Sequence, residues 1–347
     1  MKRIINILIC FTLTTNFIYS ESKIDKKVNI LIEKMTIDEK IGQMTQLDRR
    51  FLRSDEDLIK FGIGSILSGG GSVPEDNTAE GWANMYNHFQ KVALESRLQI
   101  PIIYGVDAVH GHNNVPNSTI FPHNIGLGCT FDEDIVYKIS KATAKEVVAT
   151  GIDWNFAPCL SIPQDPRWGR YYEGYSEDPE IVSRLGVAAI KGYQNKIGGK
   201  HSVAACAKHF LGDGATIWGT GDNNYKIDRG NAIISEQDLR EKYLIPYQDA
   251  INNGVLTIMA SFNSYNGLKC HANEYLFNDL LKDELDFKGF VISDWRGIDE
   301  IPGDYKSDIV TSINSGIDMI MVPGDTIWGG EPYHKFLKLF KESVNEG

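Results

Sequence analysis

The chain has 347 residues, of which 42% are hydrophobic and 23% are charged, a composition typical of a globular protein with a sizeable core. Its formal net charge of −11 argues against nucleic acids and anionic membrane surfaces as partners, because both bind through a positively charged footprint. A neutral ligand is compatible with this charge.

The first twenty residues have the pattern of an export signal. Lys2 and Arg3 supply a positive start, an apolar run follows over residues 4–18, and a small-residue cleavage site precedes Glu21. The apolar run is too short, and too often interrupted by Thr and Asn, to anchor the chain in a membrane. We therefore expect a signal peptide over residues 1–20 and a mature protein that is secreted or periplasmic.

Short apolar runs recur along the rest of the chain, each followed by a polar loop and an amphipathic stretch. They cover residues 64–67, 102–106, 125–128, 154–157, 203–207, 256–260, 290–293 and 319–322. Nearly continuous apolar character, rather than alternation, is typical of parallel strands that are buried on both faces.

Helical patterns lie between these runs. Thr36, with Glu39 three residues later, predicts a capping box for a helix that reaches Gln43, and residues 135–150 form an amphipathic stretch that stops before Gly151. Further helices are expected from Ser235 onward and over residues 333–344. This alternation predicts an α/β fold, a (β/α)8 TIM-type barrel over residues 24–347, with a doubly wound open sheet as the competing fold.

In such a barrel the functional residues lie on the loops that follow the strands. Carboxylates, cations and aromatic residues do follow the predicted strands in this sequence. The segments are GVDAVHGH at 105–112, DPRWGRYYE at 165–173, KHFLGDG at 208–214, SFNSYNG at 261–267 and DWRG at 294–297. We therefore expect these residues to meet at one rim of the barrel.

Asp294 directly follows a predicted strand, so its carboxylate is expected at the mouth of the barrel. Cations opposite it would lower its pKa by ~1–3 units and keep it ionised, as the nucleophile of a retaining glycosidase must be. The alternative is structural, since Asp is also a favoured N-cap residue and a helix is predicted to follow.

Lys208 and His209 adjoin at the end of a predicted strand, where their side chains would point to opposite sides unless the backbone bends. Both could then donate hydrogen bonds to sugar hydroxyls and keep Asp294 charged. The alternatives for Lys208 are a Schiff-base amine or a structural ion pair with Glu173, and a lone histidine is often simply a core residue.

Two further charged residues are candidates for ligand binding. Asp107 could accept hydrogen bonds from two adjacent hydroxyls or brace Lys208, and Arg170 could donate from the opposite wall or lie on the surface. Aromatic residues on the same loops could stack on sugar rings or pack within the rim: Trp168, Tyr171, Trp218 and Trp295.

No pattern predicts a metal or another cofactor. The four cysteines after the export segment are widely spaced and form no CxxC pair, so a zinc site is not expected, and the sequence does not pair them. Cys129, Cys159 and Cys206 lie in strand-like runs and are expected as buried thiols. The glycines at 69–71 are not followed by a phosphate-binding pattern.

From about residue 23 to its end, the chain resembles glycoside hydrolase family three, in particular its β-glucosidase and β-glucan exohydrolase branch. The resemblance is carried, in order, by GVDAVHG at 105–111, DPRWGR at 165–170, AKHF at 207–210 and VISDW at 291–295. It implies that Asp294 is the nucleophile and that Trp295 is a stacking wall on the leaving-group side. It also implies a set of residues that bind the non-reducing terminal sugar: Asp107, Arg170, Lys208 and His209.

The sequence departs from the family pattern at two positions near the expected site. Phe262 stands where some members have a tyrosine, so a hydroxyl contact is expected to be absent, and Asp222 stands where a close relative has a glutamate. Two-domain members of the family continue into an α/β sandwich domain that supplies the acid/base glutamate, and we expect this domain to be absent here.

The single-domain N-acetylglucosaminidase branch instead carries an Asp-His pair on the loop after the fifth strand. That loop reads LGDG here, at 211–214, without the extra histidine. We therefore expect a retaining hydrolase of terminal β-glucosyl residues that is incomplete without a separate sandwich domain. The alternatives are a protein that binds glucosides without turnover and a lysine-dependent aldolase.

Overall fold

The structure is a computed structural model that describes residues 22–221, 224–323 and 331–347. The predicted export segment and Asp222 lie outside these ranges. Within them, no helix combines the length and the apolar character that a membrane crossing requires.

The chain divides into two compact units, one ending at Met35 and the other running from Thr36 to Gly347. In the first unit, helix α1 (Lys23–Lys34) begins at a capping box formed by Ser22 and Asp25. All other elements belong to the second unit.

Within the described part of the second unit, eight parallel strands form one sheet. They are β1 (Thr45–Asp48), β2 (Ser65–Ser68), β3 (Ile103–Val106), β4 (Trp154–Asn155), β5 (Ala204–Phe210), β6 (Thr257–Ala260), β7 (Phe290–Ile292) and β8 (Ile320–Met321). Each strand pairs with the next along the chain from β1 to β7, and β8 pairs with β1. A parallel bridge between Ile292 and Met319 brings β8 against β7, so the ring is nearly closed. This ring confirms the predicted TIM-type barrel, because a doubly wound sheet would leave both edge strands unpaired.

Helices separate the strands. They are α2 (Ile37–Gln43), α3 (Asp55–Phe61), α4 (Ala79–Ala93), α5 (Asn124–Gly128), α6 (Glu133–Ala149), α7 (Pro179–Gln194), α8 (Glu236–Asp238), α9 (Ile245–Asn252), α10 (Tyr305–Asn314) and α11 (Tyr333–Glu346). The capping box of Thr36 and Glu39 is present at the start of α2, as predicted. Segments of π-helix cover Leu239–Tyr243 and Tyr275–Glu284, and a separate small sheet joins Asn231–Ala232, Ser264–Tyr265 and Leu268–Lys269.

The predicted strand at 125–128 is wrong, because these residues lie in helix α5. Leu127 is buried whereas Ile125 is 40% exposed, so the segment buries only one side. A run of this length does not distinguish a strand from a helix by its periodicity.

The true first strand, β1, was missed because its sequence TQLD is mostly polar. These polar side chains are nevertheless buried and hydrogen-bonded. The Thr45 hydroxyl donates to the Ile41 carbonyl oxygen at 2.7 Å, and the Gln46 amide donates to the Ser65 hydroxyl at 2.8 Å. Internal hydrogen bonds therefore offset the cost of burying this strand, which a search for apolar runs does not detect.

The core has two parts. Residues such as Ile66, Ile258 and Val291 pack in the layer between strands and helices. Their strand neighbours face the barrel interior in a second cluster: Leu67, Trp154, Phe156, Cys206, Met259, Ile292, Met319 and Met321. Trp295, just beyond β7, packs against this inner cluster. The filled interior leaves the loops beyond the carboxyl ends of the strands as the place where a ligand can bind.

Candidate active site

The charged residues predicted for the site do converge at one rim. Asp107 directly follows β3, Lys208 and His209 lie within β5, and Asp294 comes two residues after β7. The register of β5 against β6 shifts between Ala207 and Phe210. Such an irregularity was expected, because the adjacent side chains of Lys208 and His209 reach the same site only if the backbone bends.

Asp294 is 8% exposed and presents one oxygen to the site. Its Oδ1 accepts the Trp295 backbone N–H at 2.6 Å, whereas its Oδ2 has no hydrogen-bond partner among the described residues. The Asp294 backbone N–H donates to His271 Nε2 at 3.1 Å, which ties the residue to the loop after β6. The next helical turn, Gly297–Glu300, has Arg296 and not Asp294 in the N-cap position and receives no side-chain cap, so the helix-capping alternative for Asp294 is wrong.

Burial raises the pKa of Asp294 from its ordinary value of 3.8 to about 6, against the opposing effects of Arg170, the Trp295 N–H and Lys208. The sequence-based expectation was that nearby cations would lower this pKa. Removal of the carboxylate from water outweighs them, since burial disfavours the charged form. Asp294 is nevertheless mostly ionised at pH 7.

We expect Asp294→Asn to raise the free energy of unfolding at pH 7 by roughly 1–3 kcal/mol, because the asparagine cannot carry the buried charge. Below the unfolded pKa of 3.8 the carboxyl is protonated in both states, and the unfavourable contribution develops as the pH rises from 3.8 to the folded pKa of about 6, above which it is complete. Urea unfolding at pH 3.5 and pH 7 measures the difference. A gain of equal size at both pH values would contradict this explanation.

Lys208 is paired with Asp107 rather than with Glu173, since its Nζ lies 2.9 Å from Asp107 Oδ1. Burial of the ammonium group would lower the pKa of Lys208, but the charges of Asp107 and Glu173 outweigh it and raise that pKa. A Schiff-base lysine needs a neutral amine, so the ion pair argues against the aldolase alternative. The carboxylate of Asp107 is 46% exposed, which leaves it open to a ligand.

Arg170 joins two of these groups from the loop after β4. Its Nε and Nη2 donate to the Glu173 carboxylate at 2.8 and 2.9 Å, and Nη2 also lies 2.7 Å from His209 Nε2. Burial alone would raise the pKa of Glu173, yet the hydrogen bonds and charge of Arg170 lower it to about 2. His209 Nε2 is 3.7 Å from Asp294 Oδ2. The loop after β4, the end of strand β5 and the loop after β7 therefore meet at His209.

Four residues outside the predicted set complete the arrangement: Ser161, Glu173, Asp213 and His271. Asp213 Oδ2 lies 2.9 Å from His209 Nδ1 and accepts the Ser161 hydroxyl at 2.6 Å. The spacing of Glu173 three residues after Arg170, and of Asp213 four after His209, was a local hint of pairing. Ser161 lies on the loop after β4 and His271 on the loop after β6, and no pattern in the sequence linked either residue to His209 or Asp294.

Phe262 is buried beneath a cation. The Arg229 guanidinium lies 4.0 Å from the centre of its ring, and Lys269 Nζ donates to the Phe262 carbonyl oxygen at 3.2 Å. Glu300 accepts from both Arg229 and Lys269. The ring of Phe262 is therefore packed against a charged cluster of Arg229, Lys269 and Glu300.

The four aromatic residues named from the loops have different surroundings. Trp168 is buried and its Nε1 donates to Asp228 at 2.8 Å, so rim packing describes it best. Trp218 is 46% exposed with Arg167 over its ring, and Tyr171 lies in a 3-10 turn at Tyr171–Glu173. Trp295 is half-buried beside Asp294.

In the described ranges no group of three or more His, Cys, Asp and Glu side chains is placed to hold a metal ion. The cysteines of these ranges are all free thiols in the structure. Cys159, Cys206 and Cys270 are buried, whereas the expectation of a buried thiol at Cys129 is wrong, because the end of α5 lies on the surface.

Comparison with known proteins shows the family to which the chain belongs. The chain is 37% identical over 335 residues to lysosomal beta glucosidase of Dictyostelium discoideum, a match that covers 87% of this chain and 40% of that protein. It is 32% identical to periplasmic beta-glucosidase of Salmonella typhimurium over 90% of this chain and 38% of that protein. The chain thus spans about 40% of the length of these curated relatives.

Among solved structures, the exo-1,3/1,4-beta-glucanase of a Pseudoalteromonas species superposes with a TM-score of 0.84 at 39% identity, covering 94% of this chain and 41% of that one. The beta-glucosidase of Listeria innocua, in complex with isofagomine, superposes with a TM-score of 0.73 at 30% identity, over 86% of this chain and 41% of that one. Residues 36–347 match the N-terminal domain of glycosyl hydrolase family 3. The chain therefore belongs to glycoside hydrolase family 3, through the barrel domain of that family.

Proposed function

We propose that this protein hydrolyses terminal, non-reducing β-D-glucosyl residues of β-glucosides or β-glucan oligosaccharides, with retention of configuration, outside the cytoplasm. Family membership and the β-glucosidase and β-glucanase relatives support the substrate class. The pattern of the first twenty residues supports export.

One observation carries the chemical assignment. Asp294 has a buried carboxylate whose Oδ2 accepts no hydrogen bond from the described residues, at the mouth of the barrel and 3.7 Å from His209. At the same rim, in contrast, both oxygens of Glu173 accept hydrogen bonds from Arg170. A bare, ionised oxygen in a partly dry site is the form that a glycosidase nucleophile takes.

The proposed reaction has two displacements. Asp294 Oδ2 attacks the anomeric carbon, the glycosidic C–O bond breaks, and its electron pair leaves with the aglycone oxygen, which takes up a proton. Water then attacks the same carbon, releases a proton and displaces Asp294. Because each step inverts the carbon, the overall configuration is retained.

The neighbouring residues are proposed to bind the sugar. Asp107 accepts hydrogen bonds from hydroxyls through its exposed carboxylate, and the cations of Lys208 and Arg170 donate to them. Trp295 is proposed as a stacking wall on the leaving-group side, and Phe262 as an apolar wall. Asp222 is proposed as a further binding residue on the basis of the sequence resemblance alone. His209 is proposed to lie between Arg170, which binds the sugar, and Asp294, which attacks it.

The proton for the leaving group is proposed to come from a separate sandwich domain. Three other described carboxylates of the site are already paired, Asp107 with Lys208, Glu173 with Arg170 and Asp213 with His209. Such pairing suits them for holding cations rather than for delivering a proton. General acid catalysis contributes typically 10²–10⁴-fold, so glucosides with poor leaving groups should depend strongly on that domain.

A covalent trap tests the nucleophile without requiring the acid. We expect dinitrophenyl 2-deoxy-2-fluoro-β-D-glucoside to add one fluoroglucosyl group to the 347-residue chain, because dinitrophenolate leaves without protonation. Peptide mass spectrometry should place the group on Asp294.

A label on another residue would overturn the assignment of Asp294, and the absence of any label would favour the second candidate, a protein that binds glucosides without turnover. The pairing of Glu173 and Asp213, which leaves neither carboxylate free, is the observation in favour of that candidate. Calorimetry with glucose on the same sample distinguishes binding from no recognition at all.

A further inference from the structure

His209 lies between two carboxylates and a guanidinium. The ring is 2% exposed, with Nδ1 2.9 Å from Asp213 Oδ2 and Nε2 2.7 Å from Arg170 Nη2. The same Nε2 is 3.7 Å from Oδ2 of Asp294. Any proton on Nε2 would therefore face both a cation and the bare oxygen of the proposed nucleophile.

The partners of the ring decide where its proton lies. A guanidinium has only donors, so Nε2 must accept from Arg170 and carry a lone pair. An ionised carboxylate has only acceptors, so Nδ1 must carry the proton that binds Asp213. Burial and the charges of Arg170 and Lys208 lower the pKa of His209 well below its ordinary value, so the ring is neutral with a single proton.

Asp213 is itself held in one orientation. Its Oδ1 accepts the Gly214 backbone N–H at 2.9 Å, and its Oδ2 accepts the Ser161 hydroxyl at 2.6 Å beside His209. The residue opens the 3-10 turn Asp213–Ala215 and is 7% exposed. Its carboxylate is thus a fixed acceptor for the Nδ1 proton.

We propose that Asp213 is a positioning residue for the nucleophile, which holds the proton of His209 on Nδ1 and so prevents Nε2 from donating to Asp294 Oδ2. In the opposite tautomer, the Nε2 proton would meet the Arg170 donor at 2.7 Å, and a shift of the ring away from this donor would bring the proton to Asp294 Oδ2, which lies 3.7 Å away. A hydrogen bond there would stabilise the carboxylate charge that attack on the sugar has to disperse, and so would slow the attack. The inference depends on the proposed function, because it takes Asp294 as the nucleophile.

Asp213→Asn is a matched test of the tautomer. The Gly214 N–H requires an oxygen at the Oδ1 position, so the amide nitrogen of the asparagine must take the Oδ2 position and donate to His209 Nδ1. The proton should then move to Nε2. Ser161→Ala is the control, since it removes a neighbouring hydrogen bond to the same oxygen but leaves the carboxylate as an acceptor.

Two independent measurements follow. In spectra of ¹⁵N-histidine-labelled protein, with His209 assigned by His209→Gln, we expect a protonated Nδ1 in the wild type and in Ser161→Ala, and a protonated Nε2 in Asp213→Asn. We expect the rate of fluoroglucosyl labelling to fall roughly 10²–10⁴-fold in Asp213→Asn and less than tenfold in Ser161→Ala.

Each outcome has a definite meaning. A protonated Nε2 in the wild type overturns the proposal without any variant, so the test does not depend on the folding of Asp213→Asn. A proton that moves to Nε2 while labelling continues at the wild-type rate also overturns it. Wild-type labelling at a residue other than Asp294 refutes the proposed function instead, and the spectra separate the two failures because they require no activity.

Discussion

Replacing Asp294 by asparagine is expected to lower the turnover of dinitrophenyl β-glucoside by roughly 10⁴–10⁶-fold, the loss typical when a nucleophile is removed from an otherwise intact site. The amide keeps the shape of the side chain, and its oxygen can still accept the Trp295 N–H. What is lost is the charge on Oδ2, so no covalent glucosyl-enzyme can form. Initial rates at saturating substrate measure this directly.

Asp286→Asn is the matched control, because it makes the same change on a surface residue at the other end of β7. Asp286 has a 73% exposed carboxylate, and its backbone φ of +55° is one that asparagine tolerates. We expect its turnover to stay within twofold of the wild type and its free energy of unfolding to change by less than about 0.5 kcal/mol. A comparable loss of turnover in both variants would show that net charge, and not the position of Asp294, is responsible.

A smaller side chain at Asp294 adds a stereochemical readout. In Asp294→Ala, azide can occupy the vacated space, attack the anomeric carbon and release dinitrophenolate. Because azide approaches from the side on which Asp294 stood, the product should be the α-glucosyl azide. A β-glucosyl azide, or a turnover that azide leaves unchanged, would be incompatible with Asp294 as the nucleophile.

The second large effect is expected at Arg170. Arg170→Met leaves Glu173 without its partner, and the 15% exposed carboxylate is then a poorly compensated charge. We expect the free energy of unfolding to fall by roughly 2–4 kcal/mol, somewhat less than the 3–5 kcal/mol typical of fully buried pairs, because 28% of the Arg170 side chain is exposed. Urea denaturation at pH 7 measures this loss.

The same variant should change the pH dependence of the chemistry. Arg170 is the strongest of the groups that oppose the rise in the pKa of Asp294, so its removal should raise that pKa further above about 6. The nucleophile would then be protonated over a wider range, and the acidic limb of the labelling rate should move to higher pH. An acidic limb that stays in place would show that Arg170 does not act on Asp294.

Arg167→Met supplies the comparison on the same loop. Arg167 also binds a carboxylate, with its Nε 2.9 Å from Asp165 Oδ1, but its side chain is 57% exposed. Exposed pairs contribute little because solvent screens their charges, so little stability should be lost and the acidic limb should not move. Equal destabilisation in the two variants would mean that the buried position of the Arg170 pair has no special effect.

The sequence was sufficient for most of the barrel and for the residues that come together at its rim. Parallel strands that are buried on both faces require continuous apolar runs, and the carboxyl ends of such strands lie at one rim, so Asp107, Lys208, His209 and Asp294 were predictable neighbours. Two elements of the barrel were predicted wrongly, the missed strand β1 and the helix α5 that was expected as a strand. In both, an apolar run and a buried strand do not coincide. In the polar strand β1, Gln46 donates a hydrogen bond to Ser65 of the neighbouring strand, which no apolar pattern reveals, and the short apolar run of α5 fits either type of element.

What only the tertiary structure decided is the pairing and the electrostatics of the site. Lys208 binds Asp107 rather than Glu173, and Asp213 orients His209. The first choice joins segments that are distant along the chain and meet only in the folded barrel, and the second depends on Ser161, which binds Asp213 from the loop after β4. The pKa of Asp294 depends on the balance between burial and the nearby cations. The sequence shows which residues are cations. It does not show how deeply the Asp294 carboxylate is buried, because this burial depends on the packing of the whole fold.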